Sequence, residues 1–495
     1  MSITPVHYIA VPLLAAFLIP LLAKLHKELV RIVPGLVFLY FLIISATLMQ
    51  QLPETGTISE VIAGWSAPWG INLVFSPFSG FLASLMSFIG FLAWLYSYRF
   101  KKVDFVQSQK YFILLMMLVT GSIGIVLTGD IFNLFVFLEI VAISSYSLTS
   151  FYSGRDSAEA AFKQLLIGSF ASAFILLGIL ILYTQTGTLN MADLATKVHL
   201  IAPSVKISIL VLFLVGFGIE AEMFPLNGWA PDVYSQAPGP IGSVFAGVVV
   251  KAGIYALIRV LYTIFDIPEI THLLIILGVV TMIIAEVAAL RQDNLKRMLA
   301  YSSIGQMGVV LIAFGIGTNT AIFAALFLMF NHAIIKSMLF FSSSYLLYNS
   351  TTKAIAHLTG VAKKMPFVAF IFALGAFAIV GLPPFSGFWS KLYLLMAAAD
   401  QKMLLLIGTI LVISVVEIIY YFRVIGKLYY GKEENNIEIQ KPSINGYVVM
   451  GVLGAIIIVV GVYPDLITGI IQNAADALSD KSTYIQSVIT ENIVR

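Results

Sequence analysis

Fourteen apolar stretches, each close to the length a helix needs to cross a bilayer, follow one another along 495 residues with only short polar breaks between them. They run approximately over 5–23, 30–50, 73–98, 112–128, 131–150, 161–184, 207–224, 240–263, 270–290, 299–316, 320–348, 366–397, 403–430 and 446–471. A hydrocarbon core of about 30 Å takes about 20 residues of helix, and in lipid the backbone must satisfy its own hydrogen bonds. The pattern therefore specifies an all-α integral membrane protein of about fourteen transmembrane helices. No segment resembles a soluble domain. The first stretch lacks a charged leader and a small-residue cleavage site, so it is read as a retained helix.

Composition narrows the function. Charged residues are 11% against 60% hydrophobic, and 28 Lys and Arg against 25 Asp and Glu leave a net charge of +3, too little for a nucleic-acid partner. With no cysteine, the chain cannot form disulfides, thiolate zinc sites or cysteine-ligated iron–sulfur clusters. Any redox chemistry is thus expected on a partner subunit, and no cofactor is expected here. Seventeen Lys and Arg fall in breaks after odd-numbered helices, and five in the even-numbered breaks and C-terminal tail. Positive loops stay in the cytoplasm, so a multi-pass protein of the cell membrane with both termini outside is expected. The remaining six, Lys163, Lys251, Arg259, Lys336, Lys391 and Arg423, lie within or at the edge of apolar stretches.

A weak internal repeat is visible. The seventh stretch runs into Met223-Phe224-Pro225-Leu226-Asn227-Gly228-Trp229, and the twelfth is interrupted at Leu382-Pro383-Pro384-Phe385-Ser386-Gly387-Phe388-Trp389. Pro225, Pro383 and Pro384 are expected to break two helices in the same way. A shift of five helices makes the copies opposite in orientation, which points to a transport fold with its site near the midplane.

Ionisable residues at mid-depth carry the functional reading, because an unpaired charge there costs several kcal/mol. Glu139 lies eight residues into its helix; it is either an ion-carrying carboxylate or a protonated one bonded to a neighbouring backbone. Glu220 and Glu222 precede Pro225, where a broken helix offers carbonyls and water, and so close a pair is suited to loading and unloading a proton. Glu222 reads equally well as an interfacial charge. Lys251 is followed by Tyr255 and Arg259 at helical spacing, with a structural Lys–Glu pair as the alternative. His332 and Lys336, one turn apart, form a stepping distance for protons, against a plain core histidine. Lys391 follows the second break, Glu417 lies midway along the next helix, and Lys163 reads as part of the row or as a residue snorkelling to the interface. The segment Arg291–Ser303 reads as a solvated turn before a helix, with no phosphate-binding glycine pattern.

Taken together, these motifs resemble the antiporter-like membrane subunits shared by respiratory complex I, Mrp-type Na⁺/H⁺ antiporters (their D-like component) and membrane-bound hydrogenases. The residues that carry the resemblance are Gly129–Glu139, Phe224–Asp232, Lys251–Tyr255, Asp293–Ser303, His332–Lys336 and Gly381–Lys391. It implies two inverted five-helix repeats with discontinuous helices 7 and 12. Divisions at 1–108, 109–265, 266–432 and 433–495 follow, for helices 1–3, the two repeats, and helix 14 with its tail. It implies roles in ion translocation for Glu139, Lys251, His332, Lys336 and Lys391. The family usually carries a Lys where this chain has Glu220 and a His where it has Asn227. Either Lys251 then partners Glu139 directly, or Glu139, Glu220 and Glu222 form a carboxylate site open to Na⁺. The expected function is movement of H⁺, with exchange for Na⁺ open, within a multisubunit membrane complex. Alternatives are a subunit of a redox-driven hydrogenase or complex I-like pump with peripheral redox subunits, and a stand-alone solute transporter. No catalytic redox site is expected in this chain.

Overall fold

Polar caps start many of the helices. Ser76 accepts from the Ser79 amide, Asp104 from Gln107, Asp130 from Asn133, Asn294 from Arg297, Thr318 from Ala321 and Ser443 from Gly446. Near lipid, where water cannot take the orphan donors of a first turn, such caps fix where each helix begins. The computed structural model describes residues 3–99, 104–265, 268–347, 353–430 and 442–489. Lys101, Lys102, Lys432, Lys441 and Arg495, which enter the orientation count, lie outside the described residues, as does the boundary at 432–433.

The chain opens with α1 (His7–Leu25) and α2 (Leu29–Thr55), a hairpin of β1 (Ile58–Val61) and β2 (Asn72–Phe75), then α3 (Pro77–Ser97), α4 (Phe105–Leu127), α5 (Ile131–Thr149) and α6 (Arg155–Thr186). Short α7 (Met191–Lys197) precedes α8 (Pro203–Glu220), α9 (Ala230–Gln236) and the span α10 (Gly239–Phe265). There follow α11 (Pro268–Leu290), α12 (Leu295–Ile316), α13 (Asn319–Leu346), α14 (Pro366–Val380), α15 (Ser386–Asp400), α16 (Leu404–Tyr429), α17 (Ile444–Val462), α18 (Asp465–Ser479) and α19 (Lys481–Ile489). Thirteen of these are long and apolar enough to cross a membrane. The segment expected as the twelfth span is divided into α14 and α15. The expected boundary at 108–109 falls inside α4.

Both breaks form where expected. α8 ends at Glu220 and α9 begins at Ala230, while α14 ends at Val380 and α15 begins at Ser386. Proline supplies no amide to continue a helix, and at the second break Gly381 adopts φ +91, a left-handed conformation that costs side-chain-bearing residues dearly. A Cβ at Gly381 would also lie 2.9 Å from Cδ of Lys391, so the glycine clears the path of that side chain. The broken helix is the fourth span in each group of five, spans four to eight and nine to thirteen, and the two run in opposite directions. The inverted-repeat expectation holds.

Four elements depart from the expectation. The stretch 446–471 is not one helix, because Tyr463-Pro464 ends α17 and α18 sets off separately, its apolar residues on one face only. The β hairpin and α7, too short to carry a hydropathy signal, fill the 58–75 and 191–197 connections. The segment Arg291–Ser303 is a solvated turn only at its start, where Arg291 and Asp293 are exposed: the helix begins at Leu295, and Lys296, Met298, Leu299, Ser302 and Ser303 are buried.

α11 and α12 are in direct backbone contact. A Cβ on Gly308 would stand 2.6 Å from the Met282 amide nitrogen, and one on Gly278 2.7 Å from the Gly308 carbonyl oxygen. Small residues allow such approach where lipid provides no hydrophobic drive for association. Gly308→Val is expected to lower the thermal stability of the purified protein by about 1–3 kcal/mol through overpacking. Gly451→Val, where no atom lies within 4 Å of the new Cβ, is the control and leaves the melting temperature unchanged.

Candidate functional site

Almost every residue of α10, α12 and α13 is buried, so their polar side chains face protein and not lipid. α12 is the hub. Its Ser302, Ser303 and Gln306 lie within two turns of one another and reach different partners. The Ser303 hydroxyl meets His332 Nε2 at 3.0 Å, and His332 Nδ1 bonds to Lys251 Nζ. Lys251 also donates to the Ala246 carbonyl, inside a π-helical stretch over Phe245–Val249 that widens α10 beneath it. Ser302 meets the Tyr421 hydroxyl at 3.1 Å, and Lys336 Nζ donates to that hydroxyl and to the Leu299 carbonyl, each at 3.1 Å.

The second repeat completes a network of acids and bases. Lys391 pairs with Glu417 at 2.6 Å and donates to the Val380 carbonyl at 2.8 Å, one of the acceptors the α14 break leaves free. Gln306 Nε2 donates to the other Glu417 oxygen at 2.9 Å. Glu286 of α11, 1% exposed, accepts from the Tyr420 hydroxyl at 2.8 Å and lies against Gly305, where a Cβ would stand 2.1 Å from its Oε1. The sequence pattern did not single out Glu286 or Gln306. Glu286 had a signal, a lone carboxylate in the apolar run Met282–Leu290, of the kind that marks Glu139. Gln306 had none, because an uncharged amide does not stand out in a buried helix.

The first repeat is built of carboxylates. Glu222 is 2% exposed, which removes the interfacial alternative. It occupies the left-handed slot just beyond α8 at φ +58, a place that favours glycine, so a strained backbone accompanies its side chain. One oxygen accepts from Tyr234 at 2.8 Å, and the other is buried with no partner among the described residues. Glu139 accepts from the Ser172 hydroxyl of α6. Glu220 lines a cavity of about 20 Å³ with Ser145, Tyr146, Gln164 and Trp229, room for one water. Trp229 Nε1, buried without a protein partner among the described residues, is available to hold it.

Two expectations are corrected. Lys251 does not partner Glu139, because its ammonium is taken up by His332 and a carbonyl. Nor do Glu139, Glu220 and Glu222 gather into a Na⁺ site; among the described residues no three His, Asp or Glu side chains are placed to hold a metal ion. Glu139 and Glu222 instead turn to Ser172 and Tyr234. Lys163 stands apart from the row, its side chain 44% exposed, bonded to Glu159 at 2.7 Å and Asp232 at 2.9 Å. Asp232 also binds Arg297, while Lys353 donates to the Ser235 carbonyl at 2.7 Å and Lys296 to the Ala237 carbonyl at 3.1 Å. Lys353 and Lys296 meet the carbonyl end of α9, where the helix dipole favours them, while Arg297 and Lys163 pair with Asp232 in its first turn.

Two broken helices flanking a buried network of acids and bases define an antiporter-like membrane subunit. The family model described as NADH:quinone oxidoreductase/Mrp antiporter, TM, matches residues 128–417, and the chain belongs to this family. It is 35% identical over 435 residues, 86% of each chain, to the N component of the NADH-quinone oxidoreductase of Desulforudis audaxviator. It is 31% identical over 98% of each chain to the D component of the Na⁺/H⁺ antiporter of Alkalihalophilus pseudofirmus. Among solved structures, a chain of the membrane-bound sulfane sulfur reductase, an archaeal respiratory membrane complex, superposes with a TM-score of 0.92 at 38% identity, covering 98% of this chain and 100% of that one.

Removing one partner of a buried pair leaves an uncompensated charge. Lys391→Met is expected to cost about 3–5 kcal/mol in thermal denaturation, and Lys391→Met with Glu417→Gln to recover most of it. Equal losses in both variants would show that the pair is not coupled.

Proposed function

We propose that this chain translocates H⁺ as one subunit of a multisubunit complex of the cytoplasmic membrane, with both termini outside. The observation that supports this most strongly is the continuity of the polar network. Adjacent Ser302 and Ser303 bring the Lys251–His332 pair and the Lys336–Tyr421 pair onto one turn of α12, and Gln306 extends it to Glu417 and Lys391. Each member is close enough that a change in its charge alters the proton affinity of the next. Charge then steps from Glu139, Glu220 and Glu222 through Lys251, His332 and Lys336 to Glu286, Glu417 and Lys391 without passage of a bound solute. Exchange for Na⁺ belongs to the proposal only where water, not a fixed ligand cage, carries that ion beside the carboxylates.

Two relatives support a redox-driven complex with peripheral redox subunits, while the 31% identical Na⁺/H⁺ antiporter component supports a gradient-driven one. The 38% identical chain belongs to a respiratory reductase, and the 35% identical relative is a subunit of a quinone oxidoreductase. Native mass spectrometry with metal analysis of the mildly solubilised complex tests the driving force. Iron or other redox metals on co-purifying subunits are expected, whereas small hydrophobic partners without metal would point to an ion-gradient antiporter. The translocation role is tested in vesicles bearing the whole complex: Glu139→Ala and Lys391→Ala are each expected to abolish H⁺ movement with the complex still assembled. Loss of assembly in both would make these residues purely structural.

A further inference from the structure

Arg259 lies eight residues beyond Lys251 on α10, about 12 Å along the axis, with Tyr255 between them. Lys251, Tyr255 and Arg259 are 0%, 1% and 3% exposed. Arg259 has no carboxylate partner among the described residues. Its guanidinium carbon sits 3.6 Å from the centre of the Tyr484 ring, and its Nε and the Tyr484 hydroxyl are both buried without a hydrogen-bond partner among those residues. So isolated a cation inside a membrane protein is costly, and a stacked ring offsets only part of that cost. Its position therefore calls for a use.

Tyr484 belongs to α19, outside the spans, and its surroundings suggest that use. Besides covering Arg259, Tyr484 lines a surface-opening cavity of about 600 Å³ with Thr57, Asn473, Asp476, Asp480 and Thr483. Asp480 caps α19, accepting from Ser482 Oγ at 2.6 Å and from Thr483 Oγ1 and amide at 2.5 and 3.0 Å. These bonds, the Ser482 hydroxyl foremost, hold its carboxyl down to about 2, so the cavity is anionic at any working pH. A single aromatic ring thus separates this surface-opening cavity, which carries Asp476 and Asp480 on a largely apolar wall that includes Met49, Leu52 and Ile470, from the buried side chains of Arg259, Tyr255 and Lys251.

We propose that Lys251, Tyr255 and Arg259 form a proton route to the face carrying β1, β2 and α19, and that the Tyr484 ring is its gate. The route rests on the reading of Lys251 as a proton carrier. Arg259 stands in the route as a fixed positive charge, which raises the barrier to protons and to metal cations alike and so adds to the closure that the ring provides. The Tyr484 ring lies over the Arg259 guanidinium, between it and the cavity, and so closes the route.

Because the chain has no cysteine, single cysteines give a direct test in vesicles bearing the intact complex. Thr483→Cys, on the cavity wall, is expected to react with a membrane-impermeant maleimide from one side only; failure to react would overturn the open cavity and the proposal with it. Arg259→Cys is expected to react at least about tenfold more slowly, as a site protected by local closure does, in the otherwise native chain and with Tyr484→Phe, and to approach the Thr483→Cys rate with Tyr484→Ala. Equal rates in all three backgrounds would overturn the gate. Passive H⁺ leak is expected to rise in Tyr484→Ala alone, with native Arg259, and to stay native in Tyr484→Phe. Altered labelling without altered leak would overturn the route. Labelling and leak that respond as expected, in a complex whose pumping survives Glu139→Ala and Lys391→Ala, would place the failure in the translocation reading and not in the gate.

Discussion

A charge taken out of water into a bilayer must be paired, solvated by fixed dipoles or neutralised. This constraint shapes the interior of the molecule more than any packing preference. Lys391 meets it with a carboxylate and a carbonyl released by the α14 break, Lys251 with an imidazole and a carbonyl of a widened turn, and Lys336 with a phenol and a carbonyl. In each case a main-chain oxygen contributes. For Lys391 and Lys251 that oxygen lies at a helix break or a π-helical stretch, whereas for Lys336 it is the Leu299 carbonyl within regular α12.

The two repeats answer the constraint differently. In the second, acid and base are paired directly, as Glu417 is with Lys391. In the first, three carboxylates share hydroxyls of Ser172 and Tyr234 and a water-sized cavity, with no lysine among their bonded partners. With Glu220 in that pocket and no lysine bonded to these carboxylates among the described residues, no fixed positive charge stands there. Neutrality there has to come from mobile protons or water. α12 joins the halves because small hydroxyls at 302 and 303 face opposite neighbours without filling the space between them.

The fold was largely legible in the sequence because its governing signal, twenty-residue apolar runs punctuated by proline, is local. The breaks at Pro225 and Pro383-Pro384 were readable for the same reason. What escaped was set by tertiary contact. Nothing local tells that Lys251 turns to His332, eighty-one positions away, and not to Glu139, or that Tyr420 reaches Glu286. The segment Arg291–Ser303 reads as solvated because it is rich in charge, yet Arg297 and Lys296 are occupied by Asp232 and a carbonyl at the end of α9. Amphipathic α18 was absorbed into the preceding span because hydropathy does not register the turn at Pro464.

The glycine contacts between α11 and α12 carry a mechanical consequence. Two helices interlocked backbone to backbone through Gly278, Gly308 and Gly315 have no side chains to reshuffle, so they behave as one stiff beam across the membrane. Any displacement accompanying a cycle must then be absorbed by the half-helices α8, α9, α14 and α15, whose free ends at the breaks act as hinges set on either side of that beam.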